Sequence, residues 1–428
     1  MVIKCFEIDF NLKVGGEIMF KKIGAVMVTV LATLLLLTGC GGDESASQDG
    51  KVQLEFFQFK GEAVEDFDKL IEKFEEENPD IDVEQNNVPD PDTVLFSRLS
   101  QNDVPDVMTI NGGATFGEIA QSGVFKDQSE NENLDSVIDE YEDMLKRLSG
   151  TEELYALPHT VNANGIIYNK DKFEELGLEI PKTWDELISL AEEVQSEGET
   201  PFYSTYGESW TILPPLNTLA TNIHGTEFFE ELEAGETTFS EEYGIIAKKL
   251  EELLQYTDND VFGEDYNIGN NAFANGESVM YMQGVWALGP ILDANPDMNL
   301  GVFPMPATNE EGSNDIISGV DVALAVAEDT EHPEEAQKFV DFLLKPENIE
   351  IYLESQRMFS AVEGAEQKDE SLQELGAYFE QEQIAPFADH YYPQGFPVDV
   401  IFQDYLLDGT LETLLSELDS EYERLTEE

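Results

Sequence analysis

Between Val52 and Ile110 the apolar positions switch repeatedly between two periods. Val52–Phe57 (VQLEFF) reads as a strand, and Phe67, Leu70, Ile71 and Phe74 then recur at helical spacing over 62–77. Asn78-Pro79 closes that helix. A second strand follows at 81–83, a short helix at 93–100, and a buried strand at 106–110 (DVMTI) that runs into Asn111-Gly112-Gly113. Strand, helix, strand, helix, strand at this spacing predicts an α/β sheet with right-handed crossovers. Ligands of such sheets bind beyond the carboxyl ends of the strands, so the turns at 58–60 and 111–115 are early candidates for a site.

From Tyr155 the pattern changes. A strand is expected at 166–168, flanked by Asn162, Asn164 and Asn169. Thr183 and Glu186 have the spacing of a capping box that opens a helix, with Trp184 as a packing residue at its start. Helices are expected at 228–232 and 243–256, a strand at 278–282, then a turn and helix through Trp286. The alternating run 320–326 reads as a strand, and helices follow at 333–344, 346–354, 370–380 and 406–427.

The apolar run 23–37, preceded by Lys21 and Lys22, has the layout of a signal sequence. It is too short to span a bilayer, which takes about 20 apolar residues. It ends in Leu37-Thr38-Gly39-Cys40, which resembles the lipobox of bacterial lipoproteins. That resemblance implies removal of 19–39 as a signal peptide and lipidation of Cys40, with 40–50 as anchor and flexible tether. Glu7, Asp9 and Glu17 put acid where positive charge belongs, so Met19-Phe20-Lys21-Lys22 is the better start. Residues 1–18 are then an upstream extension, with Val14-Gly15-Gly16-Glu17-Ile18 readable as a translated ribosome-binding site.

Composition narrows the function. Asp and Glu total 91 against 22 Lys and Arg, a net charge of −69, which excludes general affinity for nucleic acid or anionic lipid. The acid is spread along a chain that is 41% hydrophobic, so it coats a folded protein and suggests a salty or alkaline medium. The length exceeds what one core usually supports, and two lobes are expected. With Cys5 in the leader and Cys40 lipidated, no disulfide is available.

Enzyme signatures are missing: there is no G-x-S-x-G, no HExxH and no P-loop, and His159, His224, His332 and His390 lack ligand spacing. Asp258 to Gly263 begins like a calcium loop, but Phe262 stands at its fifth position and Gly269 at its twelfth. What stands out is aromatics beside glycines and amides, in the stretch from Phe273 to Trp286 and in Tyr203 to Trp210. Aromatic faces pack on the C–H patches of pyranose rings while amides and carboxylates take the hydroxyls, so a sugar site needs both.

Asn164-Gly165-Ile166-Ile167-Tyr168-Asn169-Lys170, followed by Pro181-Lys182-Thr183-Trp184-Asp185, resembles the signature of family 1 extracellular solute-binding proteins of sugar ABC importers. The stretches at 273–286, 302–306 and 332–339 match the same family in the same order. Within it, 209–213 and 318–322 are most similar to raffinose and multiple-sugar binding proteins. The resemblance implies an α/β periplasmic-binding-protein type II fold whose two lobes close on a ligand cleft, with the closed form recognised by the permease. The lobes would be 51–159 plus 315–364, and 160–314 plus 365–428. Trp286 would stack on the sugar, with Asp321, Glu208 and Asn111 taking hydroxyls, helped by Gln58 and Asn164. Trp210, Tyr391 and Arg357 would line the rim. It also implies a monomer without cofactor or metal, tethered through Cys40 to the outer face of a single-membrane (Gram-positive) cell. Two alternatives remain at this point: a surface-anchored glycan-degrading enzyme, and a receptor of the same fold for a non-sugar solute.

Overall fold

The computed structural model describes residues 50–310, 312–381, 383–393 and 395–426. The expectations for Met19, the signal peptide, Cys40 and the tether through 49 lie outside the described residues.

The first strands follow the expected pattern. β1 (Val52–Phe57) pairs in parallel with β2 (Ile81–Asn86) on one side and with β3 (Val107–Ile110) on the other. The crossover helix Val64–Glu77 buries Phe67, Leu70, Ile71 and Phe74, the residues that gave it away in the sequence. The expected second strand is three residues short, because the sequence turns polar after Val83 while the backbone pairing with β1 continues to Asn86.

Two long strands carry the chain out of this sheet. β4 (Leu157–Asn169) is antiparallel to β8 (Ile316–Val326) over its first half. Its second half pairs with β6 (Met280–Gly284) and β7 (Leu300–Phe303). β5 (Phe202–Tyr203) extends β6, β9 (Phe359–Ser360) adds to β4, and β10 (Ile384–Pro386) runs parallel to the start of β8. The order is β2-β1-β3-β8-β4-β6-β5. The expected strand at 166–168 is thus the end of a 13-residue strand. Asn162, Asn164 and Gly165 hid the rest, since a crossing strand can bury amides that neighbouring elements satisfy.

Where β4 meets β8 the register slips twice. Pro158 faces Ala323, Thr160 faces Val322 and Val161 faces Val320, which leaves His159 and Asp321 unopposed. Such bulges break the ladder locally and re-aim a side chain. The alternation of 320–326 had predicted a regular strand.

Two buried cores flank this crossing. One gathers Phe56, Phe67, Phe74, Phe339 and Tyr352 and continues past Val322 and Leu324 to Phe273, Tyr281 and Val285. The other surrounds Trp184, Leu216, Phe239, Met280, Phe303 and Phe402. The capping box is present, with Glu186 N–H donating to Thr183 Oγ1 and Thr183 N–H to Glu186 Oε2. Trp184 is buried, donates Nε1–H to Glu252 at 3.0 Å and carries Lys249 Nζ 3.7 Å from its ring centre.

Three expectations need correction. The strand placed at 278–282 is shifted to Met280–Gly284, after a helix Tyr266–Ala274 whose polar face concealed it. The final helix is two, Val398–Asp408 and Leu411–Thr426, broken at Gly409, whose N–H bonds back to Tyr405. The pattern also missed the adjacent helices Ala114–Gln121 and Asp139–Ser149. They pack so closely that a Cβ on Gly117 would collide with the Leu148 carbonyl.

Candidate functional site

At the carboxyl end of β1 the chain turns inward. Gln58 is fully buried: its Nε2 donates to Gln85 Oε1 at 2.9 Å and its Oε1 accepts the Lys60 N–H at 2.8 Å. That turn sends Lys60 into the protein, where Nζ lies 2.6 Å from Asp321 Oδ2 and 3.7 Å from Glu62 Oε1. Asn111, exposed at the end of β3, donates from Nδ2 to the Asp321 carbonyl at 3.2 Å. The two turns singled out in the sequence therefore meet at the bulge of β8. Burial alone would lower the Lys60 pKa, but the Asp321 carboxylate, with Tyr352 and Glu62 behind it, outweighs burial and holds it above the ordinary lysine value.

A second group of residues lies where β6 ends, with Tyr266 and Trp286 packed against the continuation of the first core. β6 ends at Gly284, and Trp286 folds back over it within the turn Val285–Ala287, so closely that a Cβ on Gly284 would overlap the indole. Trp286 is half-buried and its Nε1 has no hydrogen-bond partner. Trp210 and Tyr266 set their rings 5.1 Å apart at 58°, and exposed Glu208 accepts the Tyr266 N–H through Oε2 at 3.1 Å. Asn270, one turn beyond Tyr266, is 2% exposed with neither amide atom in a well-formed hydrogen bond. Asn164 stands opposite Gly284 and donates to the Pro214 carbonyl at 3.0 Å, leaving its own Oδ1 unpartnered, as is Oε1 of the neighbouring buried Gln283. Burial raises the Tyr266 pKa, eased by Asn270 and reinforced by Glu62. Glu62 thus couples the Lys60–Asp321 group to the aromatic group.

Of the residues expected from the sequence, Asn111 and Asp321 meet beside Lys60, Glu208 and Trp210 meet at Tyr266, and Asn164 stands opposite Gly284, over which Trp286 folds. Three predicted residues have other surroundings. Gln58 is spent on the protein and supports the site from below. Arg357, with φ 52°, caps the helix Pro346–Gln356 and is paired through Nε with Asp369 at 3.0 Å. Tyr391 lines a different space, a cavity of about 1120 Å³ between the helices Ala114–Gln121 and Asp139–Ser149 and the segment 384–393. None of Lys60, Asp321, Trp210, Tyr266 or Trp286 lines that cavity. The helix Asp139–Ser149 packs on β8 through Ser318, which Tyr141 OH meets at 3.0 Å, whereas Asp321 turns to Lys60.

Sequence reasoning missed Lys60, Tyr266, Asn270 and Gln283. Lys60 had a signal, as the cation within the turn already suspected at 58–60. Tyr266 and Asn270 had none, because their helix was not expected to begin so early. Among the described residues no cluster of three or more metal-ligating side chains occurs.

Residues 60–350 match the family described as bacterial extracellular solute-binding protein. The multiple sugar-binding protein of Streptococcus mutans serotype c is 32% identical over 368 residues, 83% of this chain and 86% of that protein. The apo form of RafE from Streptococcus pneumoniae superposes with a TM-score of 0.77 at 28% identity, over 88% of this chain and 98% of that one. RafE in complex with raffinose gives 0.73 at 28% identity, over 88% and 100%. The two-lobed α/β fold expected from the sequence is borne out.

Proposed function

Because this chain belongs to the bacterial extracellular solute-binding protein family, we propose that it is a carbohydrate receptor that delivers an oligosaccharide to an ABC transporter permease. The ligand class is a raffinose-type or other di- or trisaccharide, a reading supported by the likeness to RafE with raffinose. The observation that carries it is that unpartnered buried amides accompany the aromatic rings, Asn164 and Gln283 by Gly284 and Trp286, and Asn270 on the helix of Tyr266, against which Trp210 packs. That combination offers stacking faces for pyranose rings and acceptors for their hydroxyls.

Capture proceeds by hinged closure of the lobes 51–159 plus 315–364 and 160–314 plus 365–428 about β4 and β8, which join the two cores. Binding energy drives that closure. The protein acts as a monomeric binder rather than an enzyme; the multiple sugar-binding protein it resembles is likewise named for binding. It is anchored through Cys40 at the extracellular face of the cell membrane, a reading that rests on the sequence at 37–40.

A thermal-shift screen of the chain from Gly50 against mono-, di- and trisaccharides tests the assignment, since a ligand of the folded state alone raises the melting temperature. Stabilisation by a di- or trisaccharide is expected. If no saccharide stabilises at millimolar concentration, the assignment fails.

A further inference from the structure

Lys60 is the only lysine or arginine buried among the described residues, and the proposed ligand contacts do not use it. A buried cation is costly unless paired, and a pair of this kind is better read as fixing geometry than as adding stability. Its partner is Asp321, the residue that the β4–β8 bulge leaves without an opposite number. Lys60 takes Oδ2 at 2.6 Å, while Oδ1 accepts no hydrogen bond from the described residues. Side-chain exposures are 7% for Lys60 and 10% for Asp321, so water does little to screen the contact. The turn made by Gln58 fixes the Lys60 backbone, and Glu62 holds the ammonium from its outer side.

We propose that Lys60 is a positioning and specificity-determining residue: it holds Asp321 through Oδ2, turns Oδ1 toward the cleft to accept a hydroxyl, and restricts the ligand to neutral saccharides. The proposal rests on the sugar reading. The restriction follows from charge. With Lys60 committed to Asp321, no buried cation is left for a uronate or a sugar phosphate, and Glu62 and Glu208 repel both. Besides Asp321 itself, the charged and titratable groups facing Lys60 are Glu62 on the segment after β1 and Tyr352 on the helix Pro346–Gln356; Asp66 and His159 lie behind them against Tyr352.

The test is titration calorimetry of raffinose, melibiose, maltotriose and glucuronate into the wild type, Lys60→Arg, Lys60→Met and Lys60→Met/Asp321→Asn from pH 5.5 to 8.5. Wild type should bind a neutral sugar with affinity constant to within about twofold across that range, and should give no heat with glucuronate. Lys60→Met should lose at least about tenfold, more at low pH than at high, because an unpaired buried carboxylate takes up a proton more easily. Lys60→Arg should keep the flat profile. Equal loss at every pH in both single variants, unchanged affinity in Lys60→Met, or glucuronate binding to wild type would each overturn the proposal. If wild type binds no saccharide, the sugar reading fails first and the pairing is judged without ligand. Asp321→Asn should then lower the melting temperature of wild type but leave that of Lys60→Met unchanged or raised; additive losses would reject it.

Discussion

Arg147 holds its guanidinium carbon 3.9 Å from the centre of the Tyr391 ring, in a cavity that Asp321 does not line. Tyr391 is backed by Phe229, stacked at 4.8 Å, so the contact joins the helix Asp139–Ser149 to the opposite core. If the lobes swing about β4 and β8 to close on a ligand at Trp286, the far side of the strands has to open. The Arg147–Tyr391 contact bridges the cores away from the proposed sugar contacts, and if it lies on that side it separates and opposes closure. Cation–π contacts are worth about 0.5–2 kcal/mol depending on exposure, and every 1.4 kcal/mol is about tenfold in affinity. Arg147→Ala should therefore tighten saccharide binding by about two- to thirtyfold with little change in melting temperature. Calorimetry decides this, and unchanged affinity would show that the contact does not oppose closure.

The overlap between Gly284 and the Trp286 indole gives a second, finer test. Gly284→Ala leaves every proposed sugar contact chemically intact but forces the ring off its seat. Saccharide affinity should fall at least about tenfold while the melting temperature moves by only a few degrees, a change of about 1 kcal/mol. Trp286→Ala should abolish binding with a similarly small loss of folding, because the ring is half-buried. A collapse in stability in Trp286→Ala would return the residue to the core.

His159 is the other residue left unopposed by the bulges. It is fully buried against Tyr352, with ring centres 5.3 Å apart, and burial lowers its pKa to about 4. Its unfolded value is about 6.5, so between these limits the unfolded chain binds more protons and stability falls as pH falls. The contribution is complete above pH 6.5 and amounts to roughly 3 kcal/mol lost by pH 4. His159→Phe should flatten that part of the melting temperature profile between pH 7 and 4.5. His224 and His390 titrate in the same direction and will leave a residual slope. An unaltered slope in His159→Phe would mean that His159 is neutral in neither state or in both.

The first three strands, their crossover helix and the meeting of the 58–60 and 111–115 turns were legible because apolar periodicity and strand-end logic are local properties. The crossing strands were not. β4 buries His159, Thr160 and Asn164, residues that a single-sequence pattern assigns to surface; Asn164 Nδ2 finds the Pro214 carbonyl and His159 is enclosed against the Tyr352 ring, neither of which is local in sequence. The bulge that frees Asp321 is a relation between two strands about 160 positions apart, so no spacing within either strand records it. Trp286, Trp210 and Glu208 were singled out from aromatics beside glycines and amides in a loop context, and Tyr391 from family position alone, which gives an approximate neighbourhood; in the structure Tyr391 lines a cavity that Trp286 and Trp210 do not. Lys60 was overlooked because a lone lysine after a strand is ordinarily a solvated one.

The acidic coat separates the response of the surface from that of the site. With a net charge of −69, repulsion between exposed carboxylates opposes compaction, and salt relieves it as the screening length shrinks from about 10 Å at 0.1 M to about 3 Å at 1 M. The Lys60–Asp321 pair, enclosed on both sides, is screened far less. Sodium chloride should therefore raise the melting temperature by several degrees, with most of the rise below about 0.5 M, while raffinose affinity stays within about twofold. A thermal-shift series in sodium chloride, run beside an equimolar sucrose series to remove general exclusion effects, measures the first quantity, and calorimetry at the same salt concentrations measures the second. A saccharide affinity that tracks the melting temperature would show that the coat acts on closure itself, not on folding alone.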